Sequence, residues 1–127
     1  MASNDPVAEF ILSSFPSVWA LELLCFLRQK EGRSQSRAEM VAGLRGSELV
    51  ITQSVESLVR AGLVAADADG SARFAPVNAD LAGLAAQAEA RYATSPDAVR
   101  RLIVSAANPS LTAFVDAFRF LKERGDD

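Results

Sequence analysis

The fold is decided by residues 54–76, which read SVESLVRAGLVAADADGSARFAP. Val55 and Leu58 recur at the spacing of one helix face, and Gly62 ends that helix before an apolar pair starts an extended segment. The letters ADADG are residues that tolerate tight turns, and SARFAPV returns as a second short strand. The stretch therefore predicts the end of a helix followed by a two-stranded hairpin.

The residues just before this stretch predict two helices joined by a turn. SRAE has the form of a capping box, because the Ser36 hydroxyl can accept from the Glu39 amide while the Glu39 carboxylate reaches back. The short helix that follows ends at RGS, where Gly46 is predicted to take the left-handed backbone geometry. A third helix then runs from about 48 to 60. Its core face is predicted to consist of Ile51, Val55, Leu58 and Val59.

The rest of the chain is predicted to be helical as well. The helix at about 17–30 is apolar nearly all round, so it has to be covered on more than one side, and its Trp19 is interpreted as a core residue. Capping and proline signals place flanking helices at 5–13 and within 78–124. The length and apolar content fit one domain, 1–127, that is mainly α with one small hairpin.

Composition argues against catalysis. The chain has no histidine and one cysteine, so the usual proton shuttle is missing and no internal disulfide is possible. Cys25 lies in an apolar run and is interpreted as a small buried hydrophobe. No phosphate loop, nucleophile elbow or cluster of metal ligands is found in the sequence. We therefore expect a protein that is not an enzyme and has neither a cofactor nor a metal.

The sequence also predicts that the protein stays away from membranes. Its longest apolar stretch is interrupted by Glu22 and Arg28 and is too short to span a bilayer. The first residues, MASNDP, lack the basic start of a signal peptide. These features predict a soluble, cytoplasmic protein without a membrane partner.

Charge is distributed unevenly along the chain. The net charge is −3, but residues 28–45 carry five bases against two acids. Residues 48–73, the third helix and the hairpin, which together we name the head, carry two bases against four acids. Because phosphate contacts supply most nucleic-acid affinity, the basic segment is the predicted source of any such affinity, and the acidic head favours a protein partner.

One family shares the order of elements. A helix, a capped short helix, a turn, a helix ending in AGLV and a hairpin follow one another over residues 17–77. This part of the chain resembles the winged helix-turn-helix transcription regulators of the MarR and ArsR type. The residues on which the resemblance rests are Val55, Leu58 and 61–64. The resemblance implies that helix 48–60 lies in a DNA major groove while the hairpin, or wing, touches the backbone beside it.

The resemblance also implies which residues meet double-stranded DNA. Base edges would be faced by Thr52, Gln53, Glu56, Ser57 and Arg60. Phosphates would be met by Arg33, Arg37, Arg45 and, on the hairpin, Arg73. Regulators of this type are homodimers held together by helices outside the winged part, so the resemblance implies a homodimer joined through the flanking helices.

A second apolar surface is predicted on the last helix, at Ala113, Ala117 and Phe120, and together with Phe10 it forms the candidate dimer or partner surface. Such a surface is costly in water, so another part of the chain or another subunit should cover it. Two functions stay open at this point. One is a dimeric DNA-binding transcription regulator; the other is a winged-helix module that binds another protein through its acidic head or its Phe120 surface.

Overall fold

A computed structural model describes residues 5–107 of the chain. Within them the elements, in chain order, are α1 (Pro6–Ser14), α2 (Val18–Gln29), α3 (Arg37–Leu44), α4 (Glu48–Arg60), β1 (Val64–Ala66), β2 (Ala72–Phe74), α5 (Ala79–Thr94) and α6 (Pro96–Ala107). The two strands form one antiparallel sheet. The prediction of a mainly helical chain with a small hairpin is confirmed. The last predicted helix, with Ala113, Ala117 and Phe120, lies outside the described residues.

Short polar side chains fix where most of these helices begin. Four helices start after a side chain that accepts from the backbone N–H three residues further on: Asp5, Ser17, Ser47 and Asn78. Ser36 does the same for α3, and Glu39 Oε1 accepts from the Ser36 N–H at 2.7 Å, so the predicted capping box is confirmed. Because the first N–H groups of a helix have no partner inside it, these side chains stabilise each start.

Helix α2 lies at the centre of the fold, in contact with α3, α4, α5, α6 and the hairpin. Its buried residues are Ala20, Leu21, Leu23, Leu24 and Leu27. The prediction that this helix is covered on more than one side is therefore confirmed. Trp19 is an exception, because 39% of its surface is exposed at the first turn of α2, and its interpretation as a core residue is wrong.

Helices α1, α5 and α6 pack against one another beside α2. The buried side chains that they contribute to the core are Val7, Phe10, Ile11, Ala85, Ala88, Val99 and Ile103. Phe10 is 6% exposed, and its ring meets that of Phe15 edge-on with 5.5 Å between the centroids. The prediction that Phe10 belongs to a dimer or partner surface is wrong, because the chain buries this residue in its own core.

Ion pairs tie α5 to α1 and α2. Arg91 Nη1 lies 2.8 Å from Asp5 Oδ2, and this hydrogen bond lowers the pKa of the Asp5 carboxyl. Arg28 pairs with Glu89, and its guanidinium also lies 5.7 Å from the centre of the Phe74 ring on β2. One side chain of α2 therefore contacts both α5 and the hairpin.

The hairpin is short, and it is attached to the segment before α3. Its strands pair Val64 with Phe74 and Ala66 with Ala72. The Gln35 N–H donates to the Ala72 carbonyl at 2.8 Å, and the Ala72 N–H donates to the Gln35 carbonyl at 2.9 Å. The backbone thereby fixes the start of α3 to β2.

Among residues 5–107, no single helix has the length and apolar character needed to cross a membrane. Helices α1 and α2 have the required length and apolar character only when they are taken together, and they meet at a bend of 107°.

Candidate nucleic-acid interface

The turn between α3 and α4 differs from its prediction. Arg45 takes the left-handed backbone geometry, with φ 56° and ψ 37°, and its N–H donates to the Val41 carbonyl. Gly46 has no positive φ, so the prediction for this glycine is wrong. Gly46 is instead closely packed, since a Cβ there would lie 3.1 Å from the Trp19 ring and the ring would have to shift slightly. The turn therefore holds Arg45 between the two helices.

Helix α4 has one buried side. Ile51, Ser54, Val55 and Leu58 are buried, as the sequence predicts for the three apolar ones. The prediction that Val59 faces the core is wrong, since 43% of its surface is exposed. A helix turns by about 100° per residue, which carries Val59 from the position of Leu58 to the edge of the buried stripe.

The other side of α4 is not covered by the described residues. Its exposed side chains include Leu49, Gln53, Glu56 and Arg60, and half-buried at its edges are Thr52 and Ser57. The five residues predicted to face base edges thus lie on this half, although the Ser57 hydroxyl donates to the Gln53 carbonyl at 3.1 Å. Leu49, which is 66% exposed, is missing from the predicted set. The sequence does contain a signal for it, because Leu49 is an apolar residue that stands outside the buried stripe of α4.

A cleft of about 170 Å³ separates α4 from the turn of the hairpin, and we name it the hairpin cleft. Its lining includes Arg37, Thr52, Glu56, Asp67 and Gly70. The guanidinium of Arg37 rests on Gly70, where a Cβ would lie 2.9 Å from Nη2. No described residue forms an ion pair with Arg37. The cleft brings two of the predicted base-facing residues together with one arginine predicted to meet phosphate.

A second groove runs along the other edge of α4, beside the junction of α1 and α2, and we name it the junction groove. One part, of about 270 Å³, is lined among others by Pro16, Trp19, Val50, Gln53 and Ser57. The adjoining part, of about 380 Å³, adds Leu12, Phe15 and Arg60. The predicted base-facing residues are therefore divided. Gln53, Ser57 and Arg60 line the junction groove, whereas Thr52 and Glu56 line the hairpin cleft.

The bases of residues 28–45 do not form one surface. Arg28 is paired with Glu89, and the Lys30 ammonium lies 4.9 Å from the centre of the Phe26 ring. Both cations therefore take part in the packing around α2. The charge that the sequence assigns to this segment is larger than the charge that it can offer to a partner.

The arginines predicted to meet phosphates lie in two places. The backbone bridge between Gln35 and Ala72 places the segment that contains Arg33 next to β2. Strand β2 carries Arg73, and Arg37 rests on the hairpin turn. Arg45 follows the other end of α3, about 12 Å away, because the eight residues of that helix each rise 1.5 Å. The structure therefore places Arg33, Arg37 and Arg73 on the hairpin and the segment attached to it, with Arg33 Nε donating to the Lys30 carbonyl at 3.0 Å, and leaves Arg45 at the α3–α4 turn.

The turn of the hairpin is acidic. Asp69 Oδ1 accepts from the Ser71 hydroxyl at 2.6 Å and from the Ser71 N–H at 2.9 Å, and these bonds hold the pKa of Asp69 below its ordinary value of 3.8. Asp67 is exposed on the same turn. Asp69 is ionised at neutral pH, so the tip of the hairpin opposes the approach of a phosphate.

Cys25 packs half-buried against the core. Burial raises the pKa of its thiol to about 11, which keeps the thiol neutral and makes it a poor nucleophile. Among residues 5–107, no three histidine, cysteine, aspartate or glutamate side chains are grouped closely enough to hold a metal ion. The described side chains around α4 offer hydrogen-bonding groups, charges and apolar contacts.

No family model, no curated protein and no solved structure matches the chain.

Proposed function

We propose that the chain is a winged helix-turn-helix transcription regulator that binds double-stranded DNA as a homodimer. The observation that carries the proposal is the side of α4 that the described residues leave uncovered, which stands beside a hairpin and bears Gln53, Glu56 and Arg60. A helix with side chains is about 10–12 Å across, and the major groove of DNA is about 12 Å wide. In the proposal α4 enters this groove and the hairpin follows the adjacent backbone.

The exposed side chains of α4 supply the kinds of contact that distinguish base pairs. The Gln53 amide can donate to and accept from adenine, Glu56 can accept from the amine of cytosine, and Arg60 can donate twice to guanine. Thr52 and Ser57 contribute less, because both are half-buried and the Ser57 hydroxyl already has a partner in its own helix. We therefore expect Gln53 to dominate the sequence preference.

Phosphate contacts come from the arginines beside this helix. Arg33, Arg45 and Arg73 are exposed, and no described residue forms an ion pair with them. Three contacts in each protomer correspond to a slope of about −5 for the dimer in a plot of log affinity against log salt concentration. Affinity should therefore fall about 1000-fold between about 50 and 200 mM salt.

Selection of binding sites from a random DNA library, followed by fluorescence titration at about 50 and 200 mM salt, tests the proposal. Arg45→Ala and Arg73→Ala should weaken binding to all sequences and reduce the slope by about one per protomer. Gln53→Ala should change the preferred sequence instead. Arg101→Ala is the matched control, since Arg101 is exposed on α6 and lines neither the hairpin cleft nor the junction groove.

Two results would contradict the proposal. One is the absence of sequence-selective binding at about 50 mM salt, where the phosphate contacts are strongest. The other concerns the homodimer: light scattering should give twice the 13.5 kDa of one chain, and a mass of one chain would exclude it.

One observation favours a second function, the binding of another protein. Leu49 stands among the exposed residues of α4, where it gains little from a sugar-phosphate backbone and much from an apolar partner. Glu48 and Glu56 share that helix, and Asp67 and Asp69 lie on the hairpin tip. A partner with an apolar patch surrounded by basic residues would complement this surface.

Leu49→Ser separates the two functions. A protein partner held by this surface should be captured stoichiometrically by the parent chain and by Gln53→Ala, and lost from Leu49→Ser. DNA binding should instead persist in Leu49→Ser and change in Gln53→Ala. Capture that recovers only the chain itself from native lysate would count against the protein-binding function.

A further inference from the structure

We propose that Arg37 is a positioning residue, which holds the turn of the hairpin at a set distance from α4 and does not contact phosphate. This role replaces the one that the resemblance implies for Arg37, and its consequence for DNA binding rests on the proposed function. Three observations support it: the contact of its guanidinium with Gly70, the attachment of the hairpin to the start of α3, and the carboxylates that line the same cleft.

The guanidinium of Arg37 lies flat against Gly70. A Cβ at Gly70 would stand 2.9 Å from Nη2, 3.1 Å from Cζ and 3.1 Å from Nε. Three atoms of the plane at nearly equal distances indicate that its face, and not its edge, meets the glycine. A side chain at residue 70 would displace the guanidinium, so the contact requires this glycine, whose φ of +91° also suits the turn.

The contact completes the attachment of the hairpin to the start of α3. The two backbone hydrogen bonds between Gln35 and Ala72 hold β2, and Arg37, two residues further on, reaches the turn. The hairpin cleft lies between that turn and α4, with Thr52 and Glu56 on the side of the helix. Without Arg37 the turn would lose its contact with α3 and could move across the cleft.

Carboxylates share the cleft that Arg37 lines. Glu56 on α4 and Asp67 in the hairpin turn line the same cleft, and both are carboxylates. Neither carboxylate forms an ion pair with Arg37, but their negative charges in the same cleft oppose the approach of a phosphate. What Arg37 supplies is its planar shape, which a lysine does not have.

The contact is tested without DNA, by a double-mutant cycle in urea unfolding of the full chain. Gly70→Ala should lower the folding equilibrium constant about two- to fivefold more in the parent than in an Arg37→Ala background. Part of the cost of Gly70→Ala in the parent is the lost contact with the guanidinium of Arg37. The Arg37→Ala background has no such contact to lose. Equal costs of Gly70→Ala in the two backgrounds would overturn the proposal.

Gly32→Ala is the matched control for the cycle. Gly32 also has a positive φ, +83°, but the atom nearest to its Cβ would be the Phe74 carbonyl oxygen at 3.9 Å. The backbone strain of an alanine is therefore present without any contact to Arg37. Gly32→Ala should lower the folding equilibrium constant by the same factor with and without Arg37.

The role in binding is tested with the DNA selected by the parent chain. Arg37→Lys keeps the charge and loses the plane, so affinity should fall about tenfold with an unchanged salt slope. Arg45→Lys makes the same exchange at the other end of α3 and should keep affinity within about threefold. An Arg37→Lys chain that binds as tightly as the parent would overturn the positioning role, and so would an Arg37→Ala chain with a slope reduced by about one per protomer.

The two proposals fail in different ways. If the parent chain binds no DNA, the proposed function is wrong, and the double-mutant cycle alone still decides whether Arg37 holds the hairpin. If the parent binds DNA and the cycle shows no coupling, the proposed function stands and the positioning role is wrong.

Discussion

The hairpin cleft and the junction groove border the same helix, but their chemistry differs. In the hairpin cleft α4 faces Arg37 and Asp67, so its polar residues meet charged ones. In the junction groove it faces Leu12 and Trp19, two apolar side chains that the described residues leave about two-fifths exposed. A polar helix face thus becomes two surfaces when unequal neighbours pack along its edges, and each surface needs its own test.

Leu58→Ala should have the largest effect, because Leu58 is fully buried and anchors the helix that both surfaces share. We expect a loss of about 2–5 kcal/mol in the free energy of unfolding, measured with urea. Val59→Ala, one residue further, alters a partly exposed side chain and should cost less than about 1 kcal/mol. Equal losses in the two variants would contradict the orientation of α4, and with it the division into two edges.

Gly43→Ala should disturb the hairpin cleft, because it moves α3, the helix that carries Arg37. A Cβ at residue 43 would overlap the Phe26 ring, with Cζ only 2.8 Å away, so α3 would be pushed from α2. We expect a destabilisation of about 1–2 kcal/mol in thermal unfolding, although alanine favours a helix more than glycine does.

Gly83→Ala is the control for that variant. Gly83 lies within α5, and no heavy atom outside its own helix backbone and chain neighbours stands within 4 Å of an added Cβ. The exchange should therefore stabilise the chain by about 0.5–1 kcal/mol through helix propensity alone. A Gly43→Ala chain as stable as Gly83→Ala would contradict the close packing of α3 on α2.

Gln53→Ala and Thr52→Ala compare the two edges of α4 in DNA binding, on the proposed function. Gln53 is exposed, whereas Thr52 is half-buried in the hairpin cleft. Loss of the Gln53 amide should reduce discrimination at one base pair by about 1–3 kcal/mol, while Thr52→Ala should change it by less than about 0.5 kcal/mol. Titrations against the selected site and its single-base variants measure both, and a larger effect of Thr52→Ala would reverse the assignment.

The smallest effect concerns the pH dependence of the hairpin tip. The bonds from Ser71 hold the folded-state pKa of Asp69 below 3.8, so they contribute stability that is present above that value and lost as the pH falls through the lowered pKa. Ser71→Ala should raise the pKa of Asp69 toward 3.8, as followed by NMR titration of its carboxyl carbon. An unchanged pKa in this variant would show that Ser71 does not hold the tip.

The junction groove provides the contrast for this titration. No carboxylate is among the described residues that line it, so its shape should not respond to acid in the way that the hairpin tip does. Fluorescence of Trp19, the one tryptophan of the chain, reports on the groove. Its emission should stay constant between about pH 5 and pH 3 while the chain remains folded.

Features that depend on neighbouring residues in the chain could be predicted from the sequence. Ser36 and Glu39 are three residues apart, so their capping box needs nothing else from the fold. Features that depend on distant segments could not. Phe10 is buried because α5 and α6 pack beside α1, and Trp19 is exposed because the junction of α1 and α2 leaves a groove there. Neither outcome is contained in the periodicity of a single helix.

The candidate site divides in the same way. The uncovered side of α4 follows from its own apolar stripe, which the sequence shows. Its separation into two surfaces depends on the hairpin and on the α1–α2 junction, which meet α4 only in the folded chain. The pairing of Arg28 with Glu89 on α5 likewise removes a base from the segment that the sequence shows as the most positive.

The left-handed backbone of Arg45 has a consequence for selection from combinatorial libraries. A residue with a Cβ in this geometry costs about 1–2 kcal/mol that glycine would not, so sorting a library at position 45 for heat resistance should enrich glycine. On the proposed function, sorting the same library for retention of DNA should enrich arginine, because glycine carries no guanidinium. After rounds that combine the two selections, the ratio of glycine to arginine at position 45 would measure how folding competes with binding.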